Sequence, residues 1–282
     1  MRCRVVGRGR IIARRVANDE RGISMSEAAV DLEDVRNLVS DEEWQVRQDL
    51  AAAYRLVDHY GWSDMVFTHL SARVPGPHEH FLLNPYGFLF NEVTASNLVK
   101  VDVDGNVVLD CGYEVNAAGF TIHSAVHMNR ADAHAVMHLH TEAGIAVSCT
   151  SQGLLPLNQH AMFVYPDISY HEWEGVALDL GERDRLVNDL GDHHLMILRN
   201  HGTLALGQSV ASCFMRLYYL ERACQIQVKA VGAGQLHLPD PAAVKMMEDT
   251  FNNADAWERV LAPTAWPALR RQADRLDPSY AN

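Results

Sequence analysis

Two histidines one residue apart, His138 and His140 in HAVMHLHT, stand inside an otherwise apolar run. In an extended strand, residues i and i+2 point to the same face. The pattern therefore aims both imidazoles at one place, with Met137 and Leu139 on the opposite side. Two convergent neutral imidazoles suit Zn²⁺, and also Cu, Fe or Ni. Buried polar rings cost free energy unless they find partners, so packing without a metal must satisfy both from the backbone or leave them at a surface. A third ring, His201 in RNHG, follows the apolar run LMIL, where a turn can present a side chain at a sheet edge. Its neighbour Gly202 permits a backbone conformation that brings the ring near another strand. Three histidines with an open position make the arrangement of a catalytic metal site. The plainer alternative for His201 is a turn histidine. His123 and His127, four apart in FTIHSAVHMNR, share one face of a helix.

The elements that must position these rings follow from pattern and punctuation. Ser40 followed by Glu43 has capping-box spacing, and Trp44, Leu50, Tyr54 and Val57 recur at roughly helical intervals until Gly61. Short β-like pieces come next: THLSARVPG, HFLLNPYG and LVKVDVDGNVVLD, the last with the hairpin signal Asp104-Gly105. A helix is expected over 120–130, a strand over 134–140 and a short helix or turn over 142–149. Residues 153–175 read as loops, 182–191 as a helix stopped by Gly191, and LMILRNHGTLALG as two strands. A long helix over about 210–231 and a terminal helix in LPDPAAVKMMEDTF complete the chain. Mixed helices and antiparallel strands indicate α+β or a three-layer α/β/α sandwich. The organisation expected is a flexible extension over 1–39, one domain over 40–239, and a C-terminal helix and tail over 240–282.

Composition narrows the class. The 282 residues are 48% hydrophobic and 21% charged, as in soluble globular enzymes. A net charge of −12 argues against a nucleic-acid partner, which needs a cationic face. Residues 1–24 hold seven arginines against Asp19 and Glu20, either a targeting segment or a disordered extension ahead of a start at Met25. Cys3, Cys111, Cys149, Cys213 and Cys224 show no C-x-x-C spacing, which fits a reducing compartment. No apolar run approaches the roughly 18 residues of a membrane span, so the location expected is cytoplasmic. VVGRGRII lacks the G-x-G-x-x-G fingerprint, which leaves no nucleotide cradle.

Several separated motifs carry a resemblance. NAAGFTIHSAV, HAVMHLHTEAGIAVS, GLLPL, SYHEWEG and LRNHGTLALG, in this order, resemble the class II aldolase/adducin family, above all its adducin-like bacterial branch. The match runs from about Trp44 to Val231. The resemblance implies an α/β fold, a three-layer α/β/α sandwich with a mostly antiparallel central sheet. It also implies a homotetramer with metal sites near subunit interfaces. By the same resemblance His138, His140 and His201 ligate a divalent ion, zinc first, with Fe²⁺ or Mn²⁺ as alternatives. His123 holds the family's histidine position in its helix, either as a further metal ligand or as a donor that orients one.

The chain departs from the aldolase pattern where those enzymes carry P-S-S-E. The position of the glutamate, a zinc ligand and base in the aldolases, falls on Gly119, nineteen residues before His138. The two phosphate-holding serines fall on Ala117 and Ala118. A phosphate loop reads VFTHLSAR, with His69 where asparagine is expected, and a P-S-G segment reads NPYG, with Tyr86 for serine. A phosphate dianion needs several directed donors, so these changes point away from phosphorylated substrates. His160, Tyr170, His171 and Glu142 are candidates for acid–base work, and the base is left unassigned. Phe88, Leu89 and Phe90 are core by default, with an apolar substrate wall as the alternative.

Three functions compete. The first is a metal-dependent class II aldolase-type lyase acting on a small, non-phosphorylated carbonyl substrate. The second is a non-haem iron oxygenase on the same scaffold, disfavoured because such sites pair two histidines with a carboxylate. The third is a non-catalytic, adducin-like binding module.

Overall fold

Continuous apolar strands at the centre and alternating ones at the edge set the architecture of the computed structural model, which describes residues 33–76, 79–109, 111–175, 182–251 and 256–282. Most of the extension expected over 1–39 lies outside these residues. Helices α1 (Glu33–Leu38) and α2 (Asp41–His59) open the described chain. A meander of β1 (His69–Arg73), β2 (His80–Leu83), β3 (Val99–Asp102) and β4 (Val107–Leu109) follows. Then come α3 (Ala117–Asn129), β5 (Ala135–Leu139), α4 (Glu142–Ser148), α5 (Gln159–Val164) and β6 (Ile168–His171). They lead into α6 (Glu182–Leu190), β7 (Leu195–Leu198), β8 (Gly202–Gly207) and α7 (Val210–Ala233), with α8 (Pro241–Phe251) and α9 (Ala262–Leu276) last.

The strands form one sheet in the order β4-β3-β2-β1-β5-β8-β7-β6, antiparallel throughout except for β6 against β7. Strands β5, β7 and β8 are buried along their whole length. Both sheet faces are therefore covered, and the period of two sorts side chains between two cores. Ala135, Met137 and Leu139 of β5 join α2, α4, α5 and α7 on one face. Val136 faces the other way, with Leu204 and Leu206 of β8, onto Ile122 and Val126 of α3 and Leu186 and Leu190 of α6. The result is a three-layer α/β/α sandwich. His138 and, on β1, His69 and Ser71 belong by alternation to the α3 side.

Local chemistry explains the boundaries. Ser40 caps α2 by accepting from the Glu43 amide at 3.1 Å, which typically contributes about 1 kcal/mol. Glu43 does not close the capping box; its carboxylate is buried between Arg47 at 3.0 Å and Lys100 at 2.7 Å. The Asp104-Gly105 turn joins β3 to β4, with Gly105 at φ 83° and Asp102 Oδ1 accepting from the amides of Asp104 and Asn106.

Segment 153–175 is more ordered than its composition predicts. Asn158 caps α5 through the His160 and Ala161 amides, and β6 pairs in parallel with β7. Helix α8 is not terminal. Beyond it Trp257, Trp266 and Tyr280 are buried in the same core as α2 and α7. The buried Arg216 of α7 holds Glu258 at 2.8 Å and lies over the Trp257 ring.

Candidate metal centre

Three imidazoles meet at the end of β5. His138 is the fourth residue of that strand, His140 follows the strand directly, and His201 sits in the turn between β7 and β8. Their ring centroids lie 4.8 Å apart in each of the three pairs. One nitrogen from each ring falls within 4.8 Å of the others, and Nε2 of His138 is 3.0 Å from Nε2 of His140. The turn that delivers His201 works differently from the sequence expectation. Asn200, not Gly202, takes the left-handed conformation, at φ 56°. Gly202 is needed because a Cβ there would stand 2.4 Å from the Leu139 carbonyl oxygen and 3.1 Å from the His140 ring. Glycine lets β8 close onto the strand that carries the other two histidines.

The hydrogen bonds behind the trio decide its protonation. Nδ1 of His138 is 3.0 Å from the Thr203 carbonyl oxygen, which can only accept, so Nδ1 carries the proton. Nδ1 of His140 donates to the Asp64 carboxylate at 3.0 Å. In the neutral rings both Nε2 atoms are consequently bare, and two lone pairs face each other across 3.0 Å. Burial first, then His201, His140 and His123, hold His138 well below the ordinary imidazole pKa. Burial, His140 and His171 lower His201 to about 4. A divalent cation placed between the rings would give all three nitrogens a partner. Tetrahedral zinc–nitrogen bonds of about 2.0–2.1 Å place donors roughly 3.3 Å apart, close to the His138–His140 spacing. The donor set fits a metal.

Asp64 carried no signal in the sequence. It lies between α2 and β1, in a segment where two non-glycine residues, Met65 (φ 49°) and Thr68 (φ 65°), take left-handed backbone conformations. Each such residue costs on the order of 1 kcal/mol, a cost that persists where surrounding structure over-determines it. Here the segment ends on the carboxylate that orients His140.

His123 stands outside the metal-capable group formed by His138, His140 and His201. It is fully buried on α3, with Nδ1 2.6 Å from Ser71 Oγ, and Ser71 also meets Nε2 of His127 at 2.8 Å. His69, the β1 residue paired in register with His138, lies edge-on to His123 with centroids 5.9 Å apart. Both ring nitrogens of His69 and Nε2 of His123 are buried without a hydrogen-bond partner.

The other candidates scatter. His160 lies on α5 beside Tyr219, and Glu142 is exposed in the first turn of α4. Tyr170 receives the Leu154 amide and lies under the Arg199 guanidinium. His171, at the end of β6 rather than in a loop, donates from Nδ1 to Asp189 at 2.7 Å. It lines a small open cleft that also reaches His201, Trp173 and Arg199. Phe90 is core, edge-on to Tyr54 at 4.7 Å, while Leu89 is exposed.

This architecture recurs in known proteins. The model of the class II aldolase and adducin N-terminal domain matches residues 48–228. The crystal structure of an aldolase II superfamily protein from Pseudomonas syringae has a TM-score of 0.84 at 49% identity, covering 88% of this chain and 99% of that one. The L-fuculose 1-phosphate aldolase of Glaciozyma antarctica PI12 is 28% identical with a TM-score of 0.74, over 85% of this chain and 92% of its own. Mus musculus alpha-adducin is 42% identical across 82% of this chain, which spans 33% of the adducin. With the same sandwich, and a family match that runs from α2 through the three histidines into α7, the chain belongs to the class II aldolase and adducin family.

Proposed function

We propose that this protein is a metal-dependent lyase of the class II aldolase type, acting on a small, non-phosphorylated hydroxy-ketone, hydroxy-aldehyde or keto acid. The observation that carries this reading is the convergence of three imidazoles, with Nε2 of His138 and His140 3.0 Å apart and a nitrogen of His201 within 4.8 Å of both. His138, His140 and His201 would hold the ion, with His123 beside them, and zinc suits an all-imidazole donor set. A divalent ion held there would polarise a substrate carbonyl and stabilise the negative charge that C–C cleavage leaves. The chain's own contribution is orientation: the Thr203 carbonyl fixes the His138 tautomer, and Asp64 fixes and enriches His140. A shallow cleft lined by His171, Trp173 and His201 opens beside the trio and would be the approach to it. A homotetrameric, cytoplasmic enzyme is the form this reading carries with it.

The similarity to alpha-adducin, together with glycine at position 119, supports a second reading, a binding module without chemistry. Elemental analysis of the purified protein separates the two. A lyase contains stoichiometric zinc, manganese or iron, and the double variant His138→Ala/His140→Ala loses it. Equal metal content in the two proteins, at or near zero, refutes the lyase. Oxygen uptake by an iron-loaded sample would instead favour an oxygenase. No cleavage of fuculose-, rhamnulose- or ribulose-phosphate is expected, and turnover of any of them at ordinary enzymatic rates refutes the non-phosphorylated assignment.

A further inference from the structure

The row of rings beside the metal centre has a direction, and it can be read bond by bond. Nδ1 of His127 lies 2.8 Å from the Ala133 carbonyl oxygen, an acceptor only, so His127 carries its proton there. Burial keeps this ring neutral, with its pKa lowered to about 3. Its Nε2 is therefore bare and accepts the Ser71 hydroxyl proton at 2.8 Å. Ser71 has no second proton, so Nδ1 of His123 must donate to Ser71 Oγ at 2.6 Å. One tautomer remains for His123: Nε2 without a hydrogen. That lone pair is buried and has no donor, and the two nitrogens of the adjoining His69 also lack partners. Leaving a buried acceptor unmatched costs about 1–3 kcal/mol, and here the backbone at Ala133 enforces it through two intermediaries.

We propose that Nε2 of His123, with His69 beside it, is a subsite that reads a hydroxyl group on a neutral substrate held at the three-histidine centre. Nε2 can only accept, and neutral His69 offers one donor and one acceptor. The set matches an O–H group and opposes a phosphate or carboxylate oxygen, which brings no hydrogen. The subsite adjoins the metal centre because His69 and Ser71 share the sheet face of His138, and His69 is its cross-strand partner. The assignment rests on the lyase reading only in requiring a metal on the trio. It then narrows the substrate to one with a free hydroxyl next to the metal-bound group. An ordered water is the other source of the same O–H.

Acetohydroxamate and glycolohydroxamate, metal-binding probes that differ by one hydroxyl, distinguish these sources in calorimetric titrations of the zinc-loaded full chain. The hydroxyl should tighten binding by about tenfold, the value of one well-made hydrogen bond. In His123→Asn, whose amide keeps a donor toward Ser71 but lacks the distal acceptor, the preference should fall to within about twofold. His123→Gln, which returns an acceptor near the lost nitrogen, should recover most of it. Ser71→Ala keeps the imidazole but frees its tautomer, and should weaken the preference without loss of zinc. Equal binding of the two probes by the parent protein means that water alone fills the place, and overturns the proposal. So does a preference that survives in both His123→Asn and Ser71→Ala, or tighter binding of a phosphate-bearing hydroxamate. Zinc bound without a hydroxyl preference sinks this inference alone. A protein that takes up no zinc sinks the lyase reading, and this inference with it.

Discussion

Acidification of the metal-free protein tests the buried imidazole array directly. His69 is held neutral by burial and by His140, with its pKa lowered to about 4, and burial lowers His127 to about 3. In the unfolded chain both titrate near 6.5. Above about pH 7.5 neither state binds these protons and the rings contribute no pH dependence. Below 6.5 the unfolded chain binds protons that the folded chain refuses, so stability falls with pH until the folded values are passed. Between pH 7.5 and pH 5 linkage removes about 2 kcal/mol for each ring, roughly 4 kcal/mol together. His123 and His138, shifted further in the same direction, add to that. A typical domain has only about 5–15 kcal/mol to lose. Urea unfolding followed by tryptophan fluorescence, with chelator present, should show the midpoint falling by more than about 1 M over this interval for a slope near 3 kcal/mol/M. His69→Leu removes one titrating ring whose nitrogens make no hydrogen bond, and should recover about 2 kcal/mol of the loss. A midpoint that stays constant from pH 7.5 to 5 would refute the claim that these rings are buried and neutral.

Two substitutions probe the supports of the trio. Asp64→Asn keeps an acceptor for Nδ1 of His140 but removes its charge; zinc affinity, measured by competition with a chromogenic chelator, should drop about 10–100-fold. An unchanged affinity would mean that the strained segment around Asp64 does not serve the metal. Gly202→Ala drives a methyl group to 2.4 Å from the Leu139 carbonyl and should cost about 3 kcal/mol in thermal unfolding together with loss of zinc. A melting temperature within about 1 °C of the parent would show that β5 and β8 can separate without consequence.

The trio was legible because a strand's period of two is a strong rule: His138 and His140 converge as HAVMHLH implies, and His201 arrives from a turn after LMIL. The long helix over about 210–231, the Asp104-Gly105 hairpin and the cap at Ser40 were legible for the same reason, since each rests on neighbours in sequence. What escaped depends on partners far along the chain. Asp64 reaches His140 across 76 positions, and the Thr203 oxygen is backbone, which no residue type reveals. The His123–Ser71–His127 series needs β1 laid beside β5 and α3 packed across both. Gly202 was recognised as necessary for the wrong reason, because close approach and left-handed backbone both select glycine. Strand β6 is four residues long and pairs in parallel at the sheet edge, so its alternation is too brief to stand out from a loop.

Strand β5 gives its odd-numbered residues to one core and its even-numbered ones to the opposite face, with His138 among them. Cohesion and chemistry are thus interleaved along a single ribbon. Deleting one residue upstream within it would turn the ring into the oil of the larger core and present a methionine or leucine to His140 and His201. Neither property of that ribbon can drift without the other, so insertions tolerated in the loops are barred from these five positions.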